Sequence, residues 1–235
     1  MAAAHVQFLG GVSSIASAHT TTVLSPSSKT VTAGDVIVIG FDSYGNVTPT
    51  GVTDNLGNTY VHVERVMNAN NTVADLWYAP VTTGGSITAI TITHPSSPYT
   101  MLLASEFSGV GTLNAVGGGL TGVSATATWV DNKTIPALGL AVGVVAEADG
   151  QHTHTAGAAS GSPSTTISKS GQCDGGADTF TLSLCYAIAG ASAVTSFAGT
   201  AGLSATCSWA GAGGLFNPSA AAATVKPNFL PFFWA

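Results

Sequence analysis

The segment that most resembles a metal site is the pair of histidines at His152 and His154. In a β-strand, residues i and i+2 share a face, so both imidazoles would be able to bind one cation. Glu147 and Asp149 lie close by in the chain, and in a trimer three copies around an axis would complete a six-ligand site. The alternative is a polar edge or loop, because residues 146–164 are hydrophilic and irregular.

Three carboxylates on predicted strands, Glu64, Asp75 and Glu106, are candidates for the carboxylate pair of a glycoside hydrolase. Single carboxylates on strands are more often solvated or hydrogen-bonded at a sheet edge. The sequence has no GxSxG, HExxH, phosphate-binding glycine loop or CxxC motif. We therefore predict that the protein is not an enzyme and that it needs no cofactor.

Asp54, Asn55 and Asn58 offer oxygen ligands of the kind that Ca²⁺ prefers. The same residue types also form a hairpin turn for backbone reasons, with Gly57 supplying a positive φ. The turn is the preferred interpretation.

Trp77, Trp129 and Trp209 suggest an aromatic platform for sugars. A tryptophan within an alternating strand is more often packed between the sheets. We therefore expect these side chains to belong to the core.

Nearly every segment of the chain has the pattern of a strand, and almost none has that of a helix. Residues 35–41 are apolar on both faces, which is typical of a central strand, and residues 179–188 alternate with a period of two. Further strands are predicted over 58–66, 86–94 and 137–145, and near 5–9, 19–24, 72–79, 99–107, 123–130, 164–169 and 203–209. About ten to twelve strands separated by turns predict an all-β protein, an antiparallel β-sandwich of the jelly-roll or Ig-like type.

The domain organisation predicted from the sequence is one elaborated sandwich over residues 1–217, with a possible seam at the glycine-rich stretch 117–122. Residues 122–129 and 202–209 resemble each other, since both are small-residue strands that end in tryptophan. A duplication would make them equivalent strands of two halves. Independent use of the same strand composition is the preferred alternative.

Charged residues make up only 7% of the chain, against roughly 25% in an ordinary soluble domain. Five basic and eleven acidic residues give a net charge of −6, which argues against nucleic acid as a partner. No apolar run is long enough for a membrane-spanning helix. So uncharged a surface is expected to be rich in hydroxyl groups or covered by neighbours in an assembly.

Two further features bear on the compartment. The N-terminal residues lack the basic and apolar regions of a secretory signal, so we expect a mature fragment or export by particle assembly and lysis. The three cysteines, Cys173, Cys185 and Cys207, are too few for a disulfide scaffold. One bridge is possible in principle, but buried thiols are the preferred interpretation.

The last residues, 218–235, predict an extended arm rather than a strand, because two prolines, Pro227 and Pro231, interrupt the final segment. The arm carries a cluster of large apolar side chains: Phe229, Leu230, Phe232, Phe233 and Trp234. Left free in water, these side chains would expose more apolar area than solution tolerates. The arm either folds back onto its own sandwich or docks on a neighbouring subunit, and docking is the preferred alternative.

Several turns and core strands of the chain resemble one widespread class of module. The segments that carry the resemblance are 34–39, 52–60, 76–79, 83–85 and 104–110. They are similar to an Ig-like or jelly-roll-type β-sandwich module of tailed-phage structural proteins and of bacterial surface or secreted proteins, and the similarity covers residues 5–217. The resemblance implies a fold and no catalytic residues.

The resemblance and the uncharged composition together predict a non-enzymatic virion protein, a capsid decoration protein or minor tail component. Its expected partners are copies of itself and a major capsid or tail protein, with no nucleic acid and no membrane. The alternative is a secreted or surface-attached adhesion or carbohydrate-binding module. A secreted hydrolase would need an acidic pair in a cleft.

Overall fold

The computed structural model describes residues 1–147, 150, 152–174 and 180–220, and only the backbone of Ile15, Ala16 and Asp174. Asp149 and the large apolar residues of the predicted arm, Phe229, Leu230, Phe232, Phe233 and Trp234, lie outside the described residues. Within the described ranges, no helix has the length and apolar character needed to cross a membrane.

The described residues form fifteen strands, which confirms the predicted all-β class. They are β1 (Ala4–Leu24), β2 (Lys29–Val31), β3 (Val36–Ser43), β4 (Gly51–Asp54), β5 (Val61–Met67), β6 (Val73–Pro80), β7 (Gly85–Ile87), β8 (Ile90–Ser108), β9 (Val110–Val116), β10 (Leu120–Ile135), β11 (Leu140–Glu147), β12 (His154–Ser162), β13 (Ile167–Asp174), β14 (Thr181–Ile188) and β15 (Val194–Pro218). The number exceeds the predicted ten to twelve partly because β9 and β12 are strands that the sequence pattern does not indicate.

The strands form two main antiparallel sheets. Sheet 1 has the order β1-β8-β3-β6-β5, with β4 also paired to β8. Sheet 2 has the order β10-β15-β11-β14-β13, with β9 and β12 also paired to β15, and β2 and β7 form a separate small sheet. The chain passes from sheet 1 to sheet 2 at Gly109, whereas the glycine-rich stretch 117–119 connects β9 to β10 within sheet 2.

The core lies between the two sheets. Val36 and Val38 of sheet 1 belong to the same buried cluster as Val142 and Val144 of sheet 2. β3 and β11 are buried along their whole length because they also carry apolar residues on their outer faces. The outer face of sheet 1 is covered around Ile37, Ile39 and Phe41, and that of sheet 2 around Trp129, Val145 and Phe197. This burial on both faces confirms that β3 is a central strand.

The chain has two halves, which comprise strands β1–β8 and strands β9–β15. The two halves share one topology. β3 and β11 pair with the last strand of their own half in the same register, with Val36 opposite Phe107 and Leu140 opposite Phe216. On this equivalence, the backbone hydrogen bond from Asp35 N to Thr32 O matches the bond from Gly139 N to Pro136 O. The sequence Leu-x-Tyr-Ala also recurs at equivalent positions, at residues 76–79 and 184–187. The chain therefore contains an internal structural repeat, with one copy in each half.

Aromatic contacts across the core are reciprocal between the halves. Phe107 packs edge-on against Tyr186 with ring centroids 5.3 Å apart, and Phe216 packs edge-on against Tyr78 at 5.1 Å. Since Phe107 is equivalent to Phe216 and Tyr78 to Tyr186, the two sheets face each other as an approximate two-fold pair, the arrangement of an isologous interface.

The similar segments 122–129 and 202–209 are not equivalent strands of the two halves. They pair with each other in sheet 2, with Gly122 opposite Trp209. The Trp209 indole occupies the space where a side chain at position 122 would lie, and its Nε1–H donates to Ser124 Oγ at 3.0 Å. The duplication interpretation of this pair of segments is therefore wrong, because the similarity reflects two neighbouring strands that pack small residues against tryptophan.

Candidate metal centre

Three different potential metal ligands converge at one end of sheet 2. Glu147 is the last residue of β11 and lies opposite Trp209 of β15. Cys207 lies two residues before Trp209 on β15, and therefore points to the same face of the sheet. His152 lies between β11 and β12 in the chain, and its ring contacts Glu147.

The geometry of this group is compact. His152 Nδ1 lies 2.9 Å from Glu147 Oε2, and the His152 backbone N–H donates to Glu147 Oε1 at 3.3 Å. One ligand atom from each of Glu147, His152 and Cys207 lies within 4.8 Å of the others. Glu147 is fully buried and Cys207 nearly so, while 14% of the His152 side chain is exposed. Carboxylate, imidazole and thiolate together are a ligand set suited to Zn²⁺.

The structure brings His152, one of the two predicted histidine ligands, into this group. His154 is fully buried in β12, and its Nδ1 lies 2.8 Å from Ser183 Oγ of β14. The His154 backbone N–H donates to Gln172 Oε1 at 3.0 Å. Binding of a single cation by His152 and His154 together stays a prediction.

Cys207 is the residue that sequence reasoning missed. It is distant from His152 in the chain, and it reaches Glu147 only because β15 pairs with β11. Cys207 could have been identified only from the register in which these buried strands pair, and a single sequence does not define that register.

The three carboxylates considered as a catalytic pair contact different groups. Glu64 accepts hydrogen bonds from the backbone N–H groups of Gly118 at 3.0 Å and Gly213 at 2.8 Å, so it connects sheet 1 to sheet 2. Asp75, fully buried, lies 3.0 Å from His62 Nε2 and 3.8 Å from Arg65 Nε. Burial raises the pKa of Asp75, and the hydrogen bond to Asp75 raises the pKa of His62.

Glu106 is buried beside another carboxyl group, that of Asp35. Glu106 accepts hydrogen bonds from Gln7 Nε2 at 2.7 Å and from Thr32 N at 2.8 Å. Burial, the charge of Glu106 and a hydrogen bond to Glu106 raise the pKa of Asp35 to about 6. The carboxyl group that pairs with Glu106 is therefore that of Asp35, a residue that the sequence analysis did not consider.

The oxygens considered for Ca²⁺ hold a turn. Asp54 accepts hydrogen bonds from the backbone N–H groups of Leu56 and Asn58, from Asn58 Nδ2 and from Tyr60 Oη, at 2.9–3.1 Å. Asn55 Oδ1 accepts from the backbone N–H of Thr88 at 2.8 Å. The preferred turn interpretation accounts for these oxygens.

Two of the three tryptophans are buried in the outer cluster of sheet 2. Trp129 is fully buried and packs against Phe197, and Trp209 is 6% exposed. Trp77 is only half-buried, on the outer face of sheet 1, with its ring 4.8 Å from that of His62. Burial is therefore confirmed for Trp129 and Trp209, but they pack on the outer face of sheet 2 and not between the two sheets, and Trp77 keeps a partly accessible ring.

None of the three cysteines forms a disulfide bond. Cys185 and Cys207 are buried, as expected, and Cys173 is half-buried. Burial raises the pKa of the Cys185 thiol to about 12, so this thiol stays protonated at neutral pH.

Comparison of the chain with protein-family models, with curated protein sequences and with solved structures gave no match.

Proposed function

We propose that this protein is a non-enzymatic structural component of a virion, a capsid decoration protein or minor tail protein, that packs on copies of itself and on a major capsid or tail protein. The observation that carries the proposal is an uncharged outer layer formed by β10, β12 and β15. In β12, β15 and residues 120–130 of β10, no residue is Asp, Glu, Lys or Arg. The exposed residues of this outer layer are Thr121, Val123, Ala125, Thr126, Thr155, Ala156, Ala158, Ser160, Ser162, Thr195, Ser196, Ser204, Ala205 and Thr206.

The outer layer is better suited to contact with protein than to permanent exposure. Val123 is 72% exposed, and Val116 of the adjoining β9 is 43% exposed. Soluble monomers normally intersperse charges on such a surface, whereas interface centres are depleted of charge. Small alanine, serine and threonine side chains also allow a neighbouring backbone to approach closely.

The predicted arm supplies the second part of the proposed assembly. Phe229, Phe232, Phe233 and Trp234 would act as anchors on a neighbouring subunit, since buried aromatic residues dominate interface energies. Deletion of residues 226–235 is expected to lower the oligomeric state measured by light scattering. An unchanged assembly would count against the arm as an anchor.

A substitution pair tests the outer layer directly. Val123→Lys places a charge at its most exposed apolar position, and we expect it to weaken self-association in sedimentation analysis. Val23→Lys is the matched control, because Val23 is 45% exposed on β1 of sheet 1. Purified particles should contain the wild-type chain at a fixed copy number relative to the major shell protein. A wild-type chain that is monomeric at high concentration and absent from particles would contradict the proposal.

The half-buried Trp77 favours one second candidate, an adhesion or carbohydrate-binding module. Its ring lies beside His62, and the carboxyl group of Asp75 lies behind that histidine. Aromatic faces next to polar groups are typical of sugar sites. A glycan array bound by the wild-type chain and not by Trp77→Ala would favour this candidate over the virion protein.

A further inference from the structure

We propose that Glu147, His152 and Cys207 bind one Zn²⁺ ion. The proposal does not depend on the protein's place in a virion, because it concerns only the end of sheet 2. It assigns to these residues a structural role, the joining of β11, His152 and β15.

The spacing of the three side chains is close to that of a metal site. Their ligand atoms lie within 4.8 Å of one another before any ion is present. Zn²⁺ binds oxygen, nitrogen and sulfur at about 2.0–2.3 Å, which places neighbouring tetrahedral ligands roughly 3.5 Å apart. A side-chain movement of about 1 Å is therefore sufficient to close the site around an ion.

Two of the ligands are held by the sheet itself. Glu147 is fixed opposite Trp209 by the β11–β15 pairing, and Cys207 is fixed opposite Ser124 by the β10–β15 pairing. Both side chains are buried. His152 completes the group from the chain between β11 and β12, and it is the ligand nearest the surface. An ion would therefore enter from the His152 side, and a water molecule would serve as the fourth ligand.

The buried Glu147 carboxylate is compatible in charge with a bound divalent cation. Glu147 is fully buried, and the carboxyl group of Asp42, 1% exposed, interacts electrostatically with it. A buried carboxylate is costly unless it is paired or binds a metal. A Zn²⁺ ion bound by the Glu147 carboxylate and the Cys207 thiolate would form a set with no net charge, so the buried carboxylate would be balanced.

The ligand types select the metal. Ca²⁺ and Mg²⁺ prefer oxygen ligands only, whereas a set that combines imidazole, thiolate and carboxylate suits Zn²⁺. Co²⁺ adopts the same coordination and reports on it spectroscopically. Cobalt is therefore the probe for the test.

The experiment is a titration of the metal-free full-length protein with Co²⁺, followed by displacement with Zn²⁺. We expect one ion per chain, the visible bands of tetrahedral Co²⁺ and a sulfur-to-cobalt charge-transfer band. Cys207→Ser should abolish the charge-transfer band. Loss of an outer-shell partner alone weakens metal binding by roughly 10–100-fold, so His152→Ala and Glu147→Gln should weaken it by at least about 100-fold.

Two matched variants control for general damage to the fold. Cys185→Ser changes another buried cysteine of sheet 2, and His154→Ala changes the neighbouring buried histidine. Both should keep the cobalt bands. If His154→Ala loses cobalt binding while His152→Ala retains it, the proposal is overturned in favour of a different site. The same conclusion follows if Cys185→Ser loses cobalt binding while Cys207→Ser retains it.

A measurement on the wild-type protein remains decisive if a variant does not fold. X-ray absorption of the zinc-loaded chain should show one sulfur neighbour at about 2.3 Å and the remaining neighbours as nitrogen or oxygen. A zinc environment without sulfur, or failure to bind Co²⁺ at micromolar concentration, would overturn the proposal.

Discussion

Gly40 and Val144 occupy equivalent positions in the two halves of the chain, and they contact each other across the core. Each is the fifth residue of its central strand, β3 or β11. A Cβ atom at position 40 would overlap Cγ1 of Val144. The approximate two-fold axis that relates the sheets therefore passes close to this contact, and the glycine at position 40 leaves the space that the Val144 side chain occupies.

Gly40→Ala should destabilise the fold by about 1–3 kcal/mol, because it overpacks a core in which the two central strands already touch. The quantity to measure is the free energy of unfolding in urea. Gly51→Ala is the control, since a Cβ atom at position 51 meets nothing within 4 Å. Equal effects of the two substitutions would contradict the close approach of the sheets.

The two reciprocal aromatic pairs should contribute similar coupling energies. Double-mutant cycles on Phe107 with Tyr186 and on Phe216 with Tyr78, using leucine, should each give about 0.5–1.5 kcal/mol. The first pair has an additional neighbour, because the His5 ring lies 5.2 Å from Phe107 and 5.0 Å from Tyr186. His5→Ala should therefore change the first coupling energy and leave the second unchanged.

The carboxyl pair of Asp35 and Glu106 should make stability depend on pH. Because the pKa of Asp35 rises from 3.8 to about 6 on folding, the folded chain holds its proton more tightly. The resulting stabilisation is complete below about pH 4 and is lost as the pH rises through 6. Since Asp35 is partly exposed, solvent screening limits the effect to on the order of 1 kcal/mol.

Asp35→Asn should remove this dependence, so that its urea midpoint changes less than that of the wild type between pH 4 and pH 7. Asp131→Asn, at an exposed position of β10, is the control and should follow the wild-type profile. A wild-type profile that rises over this range would show that the Asp35 pair does not govern it.

Glu64 should stabilise the contact between the sheets through its two backbone hydrogen bonds. Glu64→Gln keeps one acceptor oxygen and turns an amide N–H₂ towards a backbone N–H, so one of the bonds to Gly118 and Gly213 is lost. We expect a destabilisation of about 1–2 kcal/mol in urea unfolding. Asn217→Ala, which removes one exposed side-chain bond to Thr112, should cost less than about 0.5 kcal/mol.

Local pattern predicted strands well where one or both faces are apolar. The alternation at 179–188 and the apolar runs at 35–41 and 137–145 correspond to β14, β3 and β11. The local pattern did not predict β12. Its alanine, glycine and serine residues carry no hydrophobic period, and they form a strand because β15 pairs with them. The local pattern also failed at Val61, which the period of two places on the same face as Val63. A register shift between His62 and Glu64 leaves Val61 42% exposed while Val63 is buried.

The uncharged, β-rich composition and the period of two were sufficient to predict an all-β sandwich, because these properties act within a strand and between adjacent residues. Pairing between distant strands decided the rest. Only the tertiary structure places Cys207 beside Glu147 and His152, and Gly40 against Val144. The first contact depends on the strand pairing within sheet 2, and the second depends on how the two sheets pack. Both are set by non-local burial and strand pairing rather than by local sequence.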